Sequence, residues 1–487
     1  MATQTDQVST EPDLVQHTGT REFSRRLPLS ISAQTLYDWH ARPGAFERLA
    51  PPWEDIEVVH KAGGIEDGAQ LIMKIKKGPF KLTWEALHQG HVPGAQFQDQ
   101  QVRGPFGFWL HTHRFEEREG GSMLHDHVQY RLPVHPLGQW FGGWFARRML
   151  DQMFTHRHHR TQADLMRHQA FADQRPLTVV IAGASGLVGS ALTPFLTTGG
   201  HSVRRLVRRP AAGQGVPENT EHRWDPAKGE LDPSIFEGVD AVICLSGAGV
   251  ADKRWSPDRK RVLVESRTDT VGLIARTLAE LKAQGRPCPQ TFIAASAIGY
   301  YGFHRDDHDA FSEADAPGED FLARLCVDWE KAAEPARDAG IRVVTPRIGV
   351  VMSPKGGALG KLLTPFKLGG GGPVGHGGQM MSWIALDDLV GLIHFALLDE
   401  RVEGPVNAVA PNPVTSREFA RTLGRVLKRP AIIPAPAFAI KAAFGEMGET
   451  VLLHGQRVKP QALIDAGFQW QHPHLEDALR HELGLIQ

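Results

Sequence analysis

From about residue 20 to 133 apolar and polar side chains alternate with a period of two, in stretches such as "REFSRRLPL", "AQLIMKIKKG", "FGFWLHTHRFEE" and "SMLHDHVQYRLP". Glycines and prolines punctuate these runs, so they predict an antiparallel sheet, interrupted early by short helices in "AQTLYDWHARPGAFERLAPPW". From 137 to 168 the period becomes helical, placing Phe145, Met149, Met153 and Phe154 near one face. The prediction is a curved sheet closed by one long helix, an α+β domain over 19–168 behind a disordered tail at 1–18. "QAFADQRP" (169–176) reads as a linker. Beyond it, near-continuous apolar runs ("TVVIAGA", "DAVICLSGAG", "QTFIAASAIG", "IRVVTPRIGVV") alternate with amphipathic helices. That alternation predicts an α/β domain over 177–430 with a doubly wound parallel sheet, followed by a small helical domain at 431–487.

The stretch "LTVVIAGASGLVGSALTPFL" carries the most specific chemistry. Gly183, Gly186 and Gly189 follow a buried strand and open a helix. The first allows the tight turn, the second lets backbone N–H groups approach a pyrophosphate, and the third lets helix and sheet pack closely. A carboxylate at the end of the next strand would bind a ribose 2′-hydroxyl. The sequence offers Arg208 and Arg209 there, with no acid before Glu218. Arginine forks suit a 2′-phosphate, so NADP(H) is expected in preference to NAD.

With these residues in view, 178 to about 480 resembles an atypical extended short-chain dehydrogenase/reductase of the NAD-dependent epimerase/dehydratase superfamily. It is similar to the "epimerase family" branch that ends in a small domain of unknown function. "GASGLVG", "LSGAGVADKRW", "SAIGYYG", "CVDWEKAA", "NAVAPNPVT" and "GEMGETVLLHGQRVKPQAL" carry the likeness. The resemblance implies a Rossmann-type fold with cofactor contacts from Gly183, Ser185, Gly186, Leu187, Val188 and Gly189, and from Ser246, Gly247 and Ala248. It also implies a catalytic tyrosine with a lysine four residues on. In "FLARLCVDWEKAAE" those positions hold Leu322 and Cys326, and the helix has no tyrosine. Ser296, Tyr300 and Tyr301 are the substitute catalytic candidates, although the register of the usual hydroxyl falls on Ala297. Lys361 is a candidate substrate contact, and Asp387 and Asp388 read as capping or bracing a helix. Either an oxidoreductase or epimerase acting on a small carbonyl or alcohol compound, or a non-catalytic nucleotide sensor, fits these residues.

The first domain resembles the START-like, polyketide-cyclase-like ligand-binding group, which implies a helix-grip fold and a cavity for a small hydrophobic ligand. His111, His113, His125 and His127 lie on two strands joined at "EREGG" and are expected on one shared face. Leu124, Val128, Tyr130 and Leu132 form the more apolar face, so the histidines are expected to point outward and no metal ligand set is assigned. "THRHHR", with His156, His158 and His159, reads likewise as a basic helix surface.

Composition narrows the remainder. A formal net charge of −1 and 22% charged residues give no footprint for nucleic acid or an anionic membrane. Three widely spaced cysteines fit a reducing compartment, and no apolar run approaches the roughly 20 residues a membrane helix needs. A cytoplasmic protein with a small-molecule substrate is the expectation.

Overall fold

In the computed structural model, residues 19–133, 137–210, 220–302 and 310–486 are described. The tail expected at 1–18, and the segment 211–219 with Glu218, lie outside them. The chain forms two compact units, one from Met1–Gln34 and Ile56–Asp151, the other from Thr35–Asp55 and Gln152–Gln487.

In the first unit β1 (Arg21–Leu29) is followed along the chain by α1 (Ala33–Ala41) and α2 (Ala45–Leu49), which fall almost wholly in the second unit. Strands β2 (Asp55–Ala62), β3 (Gln70–Lys77), β4 (Phe80–Val92), β5 (Gln96–Arg103), β6 (Phe108–Arg118) and β7 (Gly121–Arg131) follow, and then α3 (Leu137–Gln169). The seven-stranded sheet has the order β1-β7-β6-β5-β4-β3-β2. Its register corrects the expected placement of the histidines. The β6–β7 turn is tight, with Arg118 opposite Gly121, so odd-numbered residues of one strand face even-numbered residues of the other. His111 therefore pairs with Val128 and His113 with Asp126, while His125 and His127 oppose Arg114 and Thr112. Cross-strand partners share a face. His111 and His113 point inward with Leu124, Val128 and Tyr130, at 1% and 6% exposure, and only His125 and His127 occupy the outer face.

Helix α3 buries Ala146, Leu150, Phe154, His158, Thr161 and Leu165, a stripe at spacings of three and four. Phe145, expected on that stripe, is one residue off it and 66% exposed. His156 and His158 are buried, so the "THRHHR" segment is not a basic surface; only His159 is exposed. From Gln152 onward the helix belongs to the second unit, as does the segment Thr35–Asp55 with the buried Leu36 and Trp39.

The second unit continues through β8 (Thr178–Ala182), α4 (Leu187–Thr198), β9 (Ser202–Val207), β10 (Glu221–Arg223), β11 (Ala241–Cys244), α5 (Pro257–Ala283), β12 (Thr291–Ala294) and β13 (Ser296–Ala297). It goes on with α6 (Phe321–Lys331), α7 (Glu334–Asp338), β14 (Arg342–Ile348), β15 (Val350–Met352), α8 (Gly357–Lys367), β16 (Met380–Met381), β17 (Trp383–Ala385), α9 (Leu386–Leu398) and β18 (Gly404–Ala408). The large sheet has the order β10-β9-β8-β11-β12-β14-β13, with β18 also on β14, and its pairings are parallel. Strand order reverses between β8 and β11, the switch point where ligands of such sheets bind. The strands are apolar on both sides because one core packs on each face, around Leu263, Ile274 and Phe292 on one side and Phe195, Leu389 and Ile393 on the other. The three cysteines are free and buried.

Candidate functional site

The glycine turn lies at the switch point. Gly183 has φ +87, and a Cβ there would sit 2.8 Å from the Leu245 carbonyl carbon at the end of β11. A Cβ on Gly189 would collide with the Gly183 carbonyl. These two glycines are required by the chain's own packing. Gly186 is different: it is exposed, and its Cβ would meet only the Gly183 oxygen, at 3.3 Å. It is the N-cap of α4 yet gives no side-chain cap, and the first turn carries no acid. The N–H groups of Leu187 and Val188 thus open a helix whose positive end has no internal counter-charge. Ser185 is exposed, and Leu187 and Val188 are half-buried beside it. The residues fit a diphosphate.

Around this turn the loop after β11 is held from behind. The Arg267 guanidinium donates to the Ala248 and Leu263 carbonyls at 2.9 and 2.8 Å, and Ser266 Oγ accepts from the Ala248 N–H at 3.0 Å. Ser246 and Gly247 stay accessible, whereas the Ala248 amide is already committed. Arg208 and Arg209 are exposed at the end of β9. Their neighbours are spent on the fold: Arg204 binds the Ile235 and Glu237 carbonyls, and Arg205 pairs with Glu221 at 3.0 Å.

The ends of β13 and β14 carry a polar network. Arg347 makes a two-pronged ion pair with Glu330, both contacts at 2.9 Å. Ser296 Oγ donates to the same Glu330 at 2.8 Å, and Ser296 is 1% exposed. The Tyr301 hydroxyl donates to Asn407 Oδ1 at 2.7 Å and accepts from Arg347 at 3.0 Å. Burial pushes the Tyr301 phenol up to about 12 even though Arg347 opposes it. The Arg347 guanidinium also lies 3.4 Å from the centre of the Tyr300 ring. Tyr300 is half-buried, and among the described residues its hydroxyl has no hydrogen-bond partner.

Residues 179–408 match the sequence model of the NAD dependent epimerase/dehydratase family, 435–482 a domain of unknown function, and 29–156 the family of polyketide cyclase / dehydrase and lipid transport. An epimerase family protein of Mycobacterium bovis is 44% identical over 302 residues, 62% of this chain and 96% of that protein. The chain belongs to the NAD-dependent epimerase/dehydratase family. The crystal structure of human epimerase family protein SDR39U1 with NADPH is 32% identical with a TM-score of 0.57, covering 64% of this chain and 100% of that one. A structure described as the nucleoside-diphosphate sugar epimerase from Corynebacterium glutamicum extends over both units. It is 32% identical with a TM-score of 0.77, covering 96% of this chain and 91% of that one.

For an epimerase-family chain the α6 positions are unusual. Leu322 and Cys326 lie against the backbone at Gly299, where an acid–base pair would be expected. Burial, with Glu330 nearby, drives the Cys326 thiol up to about 12, so it is no nucleophile. Of the substitute candidates, Ser296 and Tyr301 are tied into the Glu330–Arg347 network, and Tyr300 alone keeps an uncommitted hydroxyl among the described residues. Lys361 is exposed and donates to the Ala251 carbonyl at 2.9 Å. Asp387 and Asp388 do not cap their own helix, since the N-cap of α9 is Ala385 without a side-chain bond. Asp387 instead joins Arg48, Arg160 and His481, and Asp388 accepts the backbone N–H groups of Gln471 and His472.

Sequence reasoning missed Arg347, Glu330, Asn407 and Arg267. The available signal was an arginine inside the otherwise apolar "VVTPRIGVV", where a buried charge demands a partner.

Proposed function

We propose that this chain binds NADP(H) across the glycine turn and acts as an oxidoreductase or epimerase on a small carbonyl or alcohol compound. The uncapped start of α4 carries this reading, with an open Gly186 between two glycines that admit no side chain. The NADPH in the human relative's structure supports it, as do the two exposed arginines at the end of β9. The description of the Corynebacterium glutamicum structure places sugar nucleotides among the substrates to try. The bound nicotinamide would supply hydride transfer. The chain's own contribution is orientation by the Arg347–Glu330 network and proton exchange at the Tyr300 hydroxyl, the one candidate hydroxyl not committed among the described residues. The first unit fits a ligand-holding role. Trp84, Phe106 and Trp109 pack against one another there and the Trp109 indole donates to Asp99, a mixture of aromatic and polar groups that suits an amphipathic rather than a wholly apolar molecule.

A second reading, a nucleotide sensor without turnover, is favoured by Leu322 and Cys326 at the acid–base positions. Titration calorimetry with NADPH and NADH, paired with NADPH oxidation assays against aldehydes, ketones and sugar nucleotides, separates the two. We expect NADPH to bind about tenfold or more tighter than NADH, and Arg208→Ala with Arg209→Ala to erase that preference. Tyr300→Phe should lower turnover about a hundredfold with binding unchanged. Tight binding with no turnover on any substrate selects the sensor; failure to bind either nucleotide refutes both.

A further inference from the structure

The register that turns His111 and His113 inward also brings two carboxylates to them. On β5 Asp99 lies directly across from His111, and on β7 Asp126 lies directly across from His113. Asp99 Oδ2 is 2.9 Å from His111 Nδ1 and 3.8 Å from His113 Nε2. The opposite ring nitrogens converge on the other carboxylate: Asp126 Oδ1 is 3.0 Å from His111 Nε2 and 2.8 Å from His113 Nδ1. The imidazole centres are 3.9 Å apart.

We propose that Asp99 Oδ2, His111 Nδ1 and His113 Nε2 bind a divalent transition cation of the zinc class, with Asp126 orienting both imidazoles from behind. The ligand atoms of the three residues lie within 4.8 Å of one another. Three donors at metal–ligand distances of about 2.1 Å in a tetrahedral arrangement are separated by roughly 3.4 Å, against 2.9 and 3.8 Å for the two carboxylate–imidazole pairs here and no more than 4.8 Å for the third. The surroundings match what a metal site requires. Asp126 is hydrogen-bonded to the far nitrogen of His111 and lies 2.8 Å from that of His113, the kind of partner that fixes ring orientation and raises ligand basicity. The Trp109 indole N–H donates to the other Asp99 oxygen at 3.2 Å, so that Oδ2 is the oxygen turned to the two imidazoles. Phe97 stacks on His113 with ring centres 4.3 Å apart, setting its plane. Three protein donors leave a fourth position for an oxygen of water or of a small ligand, the pattern of a working rather than a structural zinc. This site lies wholly in the first unit and stands independently of the nucleotide proposal.

The test uses the full chain, stripped with a chelator and dialysed, then titrated with Zn2+ and with Co2+ while the cobalt absorption bands are followed. The expected result is one ion per chain with a tetrahedral-type cobalt spectrum. Asp99→Asn and His113→Gln should each lose about a hundredfold or more in affinity, and Asp126→Asn about 10- to 100-fold. Circular dichroism of each variant shows whether the sheet is retained, and His125→Gln, on the outer face of the same hairpin, serves as a control expected to bind like the parent. No stoichiometric uptake by the folded parent overturns the proposal, and so does equal affinity in folded Asp99→Asn and His113→Gln, which would place the ion on other histidines.

Discussion

Tyr300 and Tyr301 are neighbours in the chain with opposite fates. Tyr301 spends its hydroxyl on Asn407 and Arg347, whereas Tyr300 offers only its ring to Arg347 among the described residues. Tyr301→Phe should therefore act on stability. It leaves Asn407 and Arg347 each short of a partner, and the expected loss is about 1–3 kcal/mol in urea unfolding with NADPH affinity unchanged. A larger effect on turnover than on stability would return Tyr301 to the catalytic list. At this scale the sequence was informative where chemistry is local. Three glycines within seven residues state a backbone requirement that no distant residue can alter. It was silent on Glu330, Arg347 and Asn407, because their meaning depends on β14 lying between β13 and β18.

Elements were easier to foresee than the faces they bury. The hairpin of β6 and β7, the closing helix and the strand–helix alternation all followed from periodicity. Which side of each element faced the interior did not, because a shift of one residue inverts a strand and rotates a helix by about 100°. The helix gives the cleaner test. Leu150 is fully buried on α3, whereas Phe145 is 66% exposed. Leu150→Ala should cost about 3 kcal/mol in the unfolding of the first unit, and Phe145→Ala within about 0.5 kcal/mol, read from thermal or urea transitions. The same slip hid the inward histidines. Had the tightness of the Glu119–Gly120 turn been used to fix which positions oppose, His111 and His113 would have been placed inside beside Asp126.

In the molecule as a whole, several imidazoles are buried in their neutral form in the second unit. Burial, reinforced by His201 and Arg48, pulls His168 down to about 3. Burial and Arg42 pull His201 down to about 4. Burial and His168 hold His394 well below the usual range. A histidine whose folded pKa is depressed gives stability that is complete above the unfolded value of about 6.5 and drains as pH falls through the folded one. His201 alone accounts for about 3 kcal/mol at the acid limit. Glu482 has the opposite sign, its carboxyl raised to about 8 by burial and Asp387, so its share is lost as pH rises from about 4.5 through 8. The midpoint of the second unit's thermal transition should fall steeply between pH 6.5 and 4. Glu482→Gln should flatten the alkaline side alone. A midpoint constant from pH 7 to 4 would contradict the buried neutral imidazoles. Among the described residues no helix is long and apolar enough to cross a membrane.

Arg48, from the early segment, and Asp164, from the end of α3, are joined at 2.6 Å, and Arg48 also reaches Asp387 at 3.2 Å. The Rossmann-type body is therefore assembled from two stretches of polypeptide, Thr35–Asp55 and Gln152–Gln487, and the first of them, with the start of the second, lies upstream of the point where its sequence signature starts. A protease nicking the chain between 169 and 176 would cut a covalent bond without parting the pieces, since both sides of the nick are woven into the same folded body.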